Sequence, residues 1–323
     1  MKEAACEKGM NMKSFNKENI IPHTLFQQIT TVRVEQPNLA LNTAKKRKRR
    51  QTFVPDGKLN IVAADHPARG SVSVGNEPFA MADRHGLLAR LISTLKSPWV
   101  DGVLGSMDIL EELLILHGLM NESENGFLDD KLLITSLNRG GLPGAAWELN
   151  DPITGTDGKT CKEFGIDAAK MLLRVDLTEY DSLKTIKYCA QGVREMNEFQ
   201  LPIFLEPLPV KKKGNNYIVV KEPESMIKLI SVTSALGDSS RNIWLKIPYT
   251  EQFKTVAAST TLPIVILGGD RNSPLKDVLN NLKLALDSGH QVRGAMFGRN
   301  VLYPKHQNPR SVAESIGKLI HNE

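Results

Sequence analysis

Cysteine is scarce in this 323-residue chain: Cys6, Cys161 and Cys189 stand far apart, odd in number, with no CxxC or Cys/His spacing. That argues against a disulfide framework and a thiolate zinc site, and makes a reducing cytoplasm the expected setting. No stretch approaches the roughly 20 consecutive apolar residues of a membrane span, and the N-terminus lacks the positive start and apolar run of a secretion signal, so no membrane partner is expected. An excess of positive charge is also missing once one segment is set aside. Of the net +5, the single run Lys45-Lys46-Arg47-Lys48-Arg49-Arg50 contributes six charges, which leaves the remainder nearly neutral. With no DNA- or RNA-binding motif beside the run, it reads as solvated or laid against acidic surface rather than as a nucleic-acid site.

What is present is a large apolar complement, 41% of residues, with 24% charged, enough to bury a substantial core. Residues 1–52 are polar and weakly periodic apart from a short helix expected near 20–31, and read as an N-terminal basic arm. From residue 53 to 323 the texture is that of one α/β domain. Short apolar runs at 59–64, 102–105, 132–136, 168–175, 203–205, 243–247, 264–267 and 294–297 alternate with longer amphipathic stretches such as 108–117, 183–196, 225–236 and 275–288. Continuous apolar runs mark strands buried on both faces, and the intervening lengths suit crossover helices. Eight such units predict a (β/α)8 TIM barrel with an N-terminal extension. A doubly wound sheet is the alternative, but it wants GxGxxG after its first strand, where this chain has Ala63-Ala64-Asp65-His66-Pro67.

Barrel active sites gather at the C-terminal ends of the strands. There this chain places Asp65 and His66 after the first run, Ser106 to Asp108 after the second, and Asn138-Arg139-Gly140-Gly141 after the third. Lys170 and Arg174 lie in the fourth, Glu206 ends the fifth, Lys246 is in the sixth, and Gly268-Gly269-Asp270-Arg271 and Gly298-Arg299-Asn300 follow the seventh and eighth. Lys246, within Trp244-Leu245-Lys246-Ile247-Pro248, is an ammonium among apolar neighbours. Desolvation and nearby cations such as Lys170 or Arg174 would free it as a nucleophile toward a carbonyl; alternatively it snorkels to solvent or pairs with a carboxylate. Glu206 could shuttle protons if its surroundings raise its pKa, or could be an ion-pair partner of Lys170 or Lys246, and Asp65 has the same two readings. Glycines after the last two strands let backbone N–H groups approach an anion, and Arg299 adds a forked donor; the plainer reading is that the glycines end strands.

These residues resemble the class I aldolases of the deoxyribose-phosphate and tagatose-bisphosphate aldolase superfamily. Asp65-His66-Pro67, Lys246-Ile247-Pro248-Tyr249-Thr250 and Gly298-Arg299-Asn300 are similar to the archaeal-type fructose-bisphosphate aldolases, and Ala168-Ala169-Lys170-Met171-Leu172-Leu173 and Phe204-Leu205-Glu206-Pro207 to the tagatose-bisphosphate branch. The likeness covers residues 59–303. The segment 64–70 with Asn138-Arg139-Gly140-Gly141 looks most like a bacterial group of barrel aldolases associated with inositol-type sugar catabolism, which implies a phosphorylated deoxy-keto acid as substrate. Carried over by position, the resemblance makes Lys246 the Schiff-base lysine, surrounds it with Asp65, Lys170 and Glu206, and puts Gly269 and Arg299 at the phosphate; by their own places at the strand ends, Gly268 and Gly298 adjoin that anion site and Arg139 is placed to meet a carboxylate or second phosphate. The archaeal branch uses a strand-five tyrosine as proton shuttle. Here Glu206-Pro207-Leu208-Pro209 stands in that region, so Glu206 takes the part.

No cofactor is expected from this reading, and a small phosphorylated sugar or keto acid is the expected partner. Two rivals remain at this level. A metal-dependent aldolase or isomerase needs ligands, and of the strand ends only one carries a histidine, His66, with no paired histidine spacing. A non-catalytic barrel that binds a sugar phosphate or, through its basic arm, a nucleic acid is the other. Barrels of this type often assemble into homo-oligomers, but no surface pattern specifies one here.

Overall fold

The computed structural model describes residues 15–120, 126–268 and 273–322. Among the described residues nine strands form: β1 Leu59–Ala63, β2 Gly102–Gly105, β3 Leu132–Ser136, β4 Ala168–Val175, β5 Ile203–Lys213, β6 Asn216–Val219, β7 Ile243–Ile247, β8 Ile264–Leu267 and β9 Val292–Phe297. All but β6 pair in parallel, in the order β1-β2-β3-β4-β5-β7-β8-β9, and β9 pairs back onto β1 with Ile61 opposite Met296, which closes the ring. This is the eight-stranded parallel barrel with crossover helices that the alternating runs predict. Among the described residues, no helix is long and apolar enough to cross a membrane.

Side-chain alternation along each strand divides the buried residues into two cores. Inside the ring lie Leu59, Ile61, Ala63, Leu104, Leu132, Ile134, Ala168, Phe204, Val265 and Met296. Outside it, Val62, Val103, Leu133, Met171, Leu205, Leu245 and Ile266 pack beneath the helices. The bottom of the ring is stoppered by Phe53, whose ring stands edge-on to Trp244 at 6.0 Å and lies 6.4 Å from Phe204. At the opposite end the interior positions become polar. Two residues beyond Ala63 comes Asp65, beyond Ile134 comes Ser136, beyond Ala168 comes Lys170, beyond Phe204 comes Glu206 and beyond Trp244 comes Lys246. The same period that fills the core thus delivers five polar side chains to one mouth.

Two segments depart from expectation. The fifth strand runs on through Pro207 and Pro209 to Lys213 and turns back as β6, a hairpin with Val210 opposite Val219. Prolines argue against a strand because they cannot donate, but β7 pairs only with Ile203 to Leu205, so beyond Glu206 that edge of β5 loses no ladder bond. In the N-terminal segment the expected short helix runs from His23 to Glu35 and a second follows at Leu39–Lys46. Their weak periodicity conceals a few buried anchors, Ile29, Val32, Ala40 and Ala44.

The last four residues of the basic run pair with the barrel's own acids. The Arg47 guanidinium is buried, donates to the carbonyls of Lys131 (2.9 Å) and Gly165 (3.1 Å), and pairs with Asp167 at 3.3 Å. Lys48 pairs with Asp130 at 2.7 Å, Arg49 with Asp167 at 2.8 Å and Arg50 with Asp101 at 2.7 Å. Asp101, Asp130 and Asp167 immediately precede or nearly precede β2, β3 and β4, so the run girdles the bottom of the barrel.

Candidate active site

Register brings the polar interior residues level with one another. Phe204 lies opposite Trp244 and Leu205 opposite Leu245, so Glu206 and Lys246, one position on, face the same interior height. Lys170 enters from β4, on the other side of β5. The result is a chain of alternating charges. Lys246 Nζ is 3.2 Å from Glu206 Oε2; Lys170 makes a close ion pair with that same oxygen and lies 3.4 Å from Asp65 Oδ2; Arg139 pairs closely with Asp65 and donates to its carbonyl. Ser136 Oγ donates to Asp65 Oδ2 at 3.2 Å. Only 4% of Asp65, 3% of Lys170, 9% of Glu206 and 6% of Lys246 is exposed, which removes most of the water that would screen these charges.

Burial opposes ionisation of Glu206, but the ammonium groups of Lys170 and Lys246 outweigh it and hold its pKa at about 2. Of the two readings of Glu206, a proton shuttle with a raised pKa and an ion-pair partner of Lys170 or Lys246, the geometry is that of the ion pair, and an oxygen held between two cations is a stabilised, ionised carboxylate. Asp65 is likewise held well below the usual carboxylate range: burial acts against this, but Arg139 and Lys170 overcome it. Lys170 is pushed down chiefly by burial, with Lys246 and Arg139 adding to the effect against the pull of Glu206 and Asp65. His66 falls to about 4, first through burial, and so is neutral at physiological pH.

The remaining predicted residues sort by contact. Arg139, expected to meet a substrate anion, has its guanidinium on Asp65, with 9% of its side chain exposed. Asn138 exchanges hydrogen bonds with the backbone of Leu172 (2.7 and 2.8 Å), fastening the loop after β3 to β4. Arg174 does not reach Lys246: it pairs closely with Glu148 and donates to the carbonyls of Gly141 and Glu148, 2.8 Å each. Gly268 and Gly298 come together across β8 and β9, since a Cβ on Gly268 would lie 3.8 Å from the backbone N of Gly298 and 3.1 Å from Asn300 Oδ1. A Cβ on Gly298 would meet His66 Cε1 at 2.6 Å and Ala63 O at 2.8 Å, so only glycine fits against the end of β1. Arg299 stands near enough to His66 to depress its pKa. Gly269 lies outside the described residues. Ser136 was not anticipated as a site residue; stepping the inward positions Leu132 and Ile134 on by two would have found it.

A closed parallel ring with its polar residues gathered at the C-terminal mouth is the architecture of barrel aldolases, among other enzymes. The chain belongs to the Cgl0159-like family, which it matches over residues 57–316. Its structure is similar to that of Cgl0159 from Corynebacterium glutamicum, with 35% identity, a TM-score of 0.87, and 94% of this chain and 99% of that one covered. It also shares its fold with an archaeal fructose 1,6-bisphosphate aldolase (18% identity, TM-score 0.61, 88% of this chain and 100% of that one). A further archaeal fructose-1,6-bisphosphate aldolase, whose catalytic lysine is covalently bound to the carbinolamine intermediate of its substrate, matches at 18% identity and a TM-score of 0.60, covering 87% of this chain and 99% of the other.

Proposed function

We propose that this protein is a cytoplasmic class I aldolase that makes or breaks a carbon–carbon bond in a phosphorylated keto sugar or deoxy-keto acid through a Schiff base on Lys246, in a pathway of inositol-type sugar catabolism. The observation that carries the reading is the placement of Lys246 Nζ 3.2 Å from the ionised carboxylate of Glu206, inside a nearly dry barrel mouth. The shared fold with aldolases that work through a covalent lysine adds to it. Lys246 suits the nucleophile better than Lys170 because Lys170 Nζ is engaged by two carboxylates, Asp65 and Glu206, whereas Lys246 pairs with one.

In the cleavage direction, Lys246 first gives its ammonium proton to solvent, the freed amine adds to the substrate ketone to give a carbinolamine, and loss of water leaves an iminium. Glu206 takes the proton of the hydroxyl on the carbon beyond the bond to be cleaved. The bond electrons move onto the iminium as an enamine, and the aldehyde fragment departs. Protonation of the enamine carbon and hydrolysis return the second product and the free amine. Lys170, between Glu206 and Asp65, orients both carboxylates and carries protons between them. Arg139 and Ser136 hold Asp65. The phosphate is received where Gly268 and Gly298 bring backbone close to Arg299, with Gly269 adjoining.

Borohydride reduction in the presence of a panel of phosphorylated ketoses and deoxy-keto acids tests the reading. The expected result is inactivation together with a mass increase of one reduced substrate fragment per chain. Full activity after borohydride, with no adduct for any substrate that is turned over, would overturn it.

A further inference from the structure

Away from the mouth, Glu18, His23 and His85 bring one ligand atom each to within 4.8 Å of one another. We infer that these three residues bind a divalent transition metal, zinc by preference, that pins the N-terminal segment to the barrel's outer layer. His85 begins the first turn of helix Arg84–Leu95, which follows β1, while Glu18 and His23 come from the segment that leads into helix His23–Glu35.

Two of the three potential ligands, His85 and Glu18, are aimed by the backbone. His85 Nε2 lies 2.7 Å from the carbonyl of Ile21, and a carbonyl can only accept, so Nε2 carries the proton and Nδ1 keeps its lone pair. Phe26 stacks on the His85 ring at 4.6 Å with planes 14° apart, which fixes the direction of that lone pair. Glu18 Oε2 accepts the backbone N–H of His23 at 2.9 Å, leaving Oε1 turned toward Nδ1 at 3.8 Å, too long for a hydrogen bond. A carbonyl behind the imidazole and an N–H behind the carboxylate are the supports that orient metal ligands. The two imidazole centroids are 6.0 Å apart. Zinc bonds of about 2.0–2.2 Å to imidazole nitrogen and carboxylate oxygen require the ligand atoms to close by roughly an ångström, and the exposed side chains of Glu18 and His23 can supply that movement. Two imidazoles and one carboxylate favour zinc over magnesium or calcium, with water completing the tetrahedron. His85 is buried and the other two are exposed, so an ion entering from solvent meets the outer ligands first.

The test uses the full chain, treated with EDTA and dialysed, then titrated with zinc chloride while calorimetry and thermal melting are followed. We expect one zinc per chain, a Tm rise of about 4 °C at a hundredfold excess over Kd, and no effect of magnesium. Glu18→Gln and His23→Gln, both at exposed positions, should each weaken uptake more than about tenfold, and the double variant should abolish it while melting normally without metal. The absence of one-to-one uptake, or uptake undiminished in the double variant, would overturn the proposal.

Discussion

Lys170 and Lys246 converge on a single oxygen, Oε2 of Glu206, although the two lysines come from strands that flank β5 on either side. Loss of that carboxylate would be costly, because Lys246 would be left charged without an ion-pair partner and Lys170 with Asp65 alone, in a medium that solvates charge poorly. This arrangement makes Glu206 the keystone of the mouth and sets what its removal should do.

Glu206→Gln should lower kcat/KM by about 10²- to 10⁴-fold, the usual contribution of a positioned proton acceptor. Stopped-flow turnover of the trapping substrate measures this. The stability consequence follows from the sign of the pKa shift. A carboxylate lowered from 4.5 to about 2 contributes stability above 4.5, and that contribution is lost as pH falls through the folded value. Urea midpoints should therefore separate wild type from Glu206→Gln at pH 6 and converge as pH approaches 2. A constant gap would mean that Glu206 does not titrate as described.

Arg47→Met tests whether the basic run is structural. The Arg47 guanidinium is fully enclosed against Asp167, which is itself 10% exposed. Removing the cation leaves that carboxylate with Arg49 and the backbone N–H of Leu133 but no buried counter-ion, so a loss of about 3 kcal/mol is expected in chemical denaturation. Lys48→Met, whose pair with Asp130 is open to solvent, should leave the denaturation midpoint unchanged.

His321 ties the last helix to the barrel floor, with Nδ1 2.5 Å from Asp56 and Nε2 3.1 Å from Asp101. Its hydrogen bond to Asp101, joined by that to Asp56, raises its pKa above 6.5 despite partial burial. A raised histidine stabilises fully below its unfolded value and loses that contribution as pH rises through the folded one. The Tm difference between wild type and His321→Gln should thus be largest near pH 6 and shrink on the alkaline side of neutrality.

Much of this was legible in the chain itself, for a physical reason: a charge inside an apolar strand has few ways to be tolerated. Lys246 in Trp244-Leu245-Lys246-Ile247, Lys170 in Ala168-Ala169-Lys170-Met171 and Glu206 in Phe204-Leu205-Glu206 each announced themselves that way, and the two-residue period put them on one face. Partner choice was legible only for the strand lysines: ion pairs of Asp65 and Glu206 with Lys170 or Lys246 could be named, but nothing local says that Arg139 turns to Asp65 while Arg174 turns to Glu148. The β5–β6 hairpin hid behind two prolines whose cost depends on a neighbouring strand ending early. Burial alone raises the pKa of Glu206 and an ion pair lowers it, and the choice between the two rests on both ammonium groups meeting one oxygen, which the sequence does not show.

The most direct test locates the covalent bond. Wild type, Lys246→Met and Lys170→Met would each be reduced with borohydride in the presence of a substrate that wild type turns over, then digested and sequenced by mass spectrometry. The account predicts the reduced fragment on Lys246 in wild type and in Lys170→Met. It predicts none in Lys246→Met, whose turnover should fall by at least about 10³-fold. An adduct on Lys170, or substantial turnover by Lys246→Met, would contradict it.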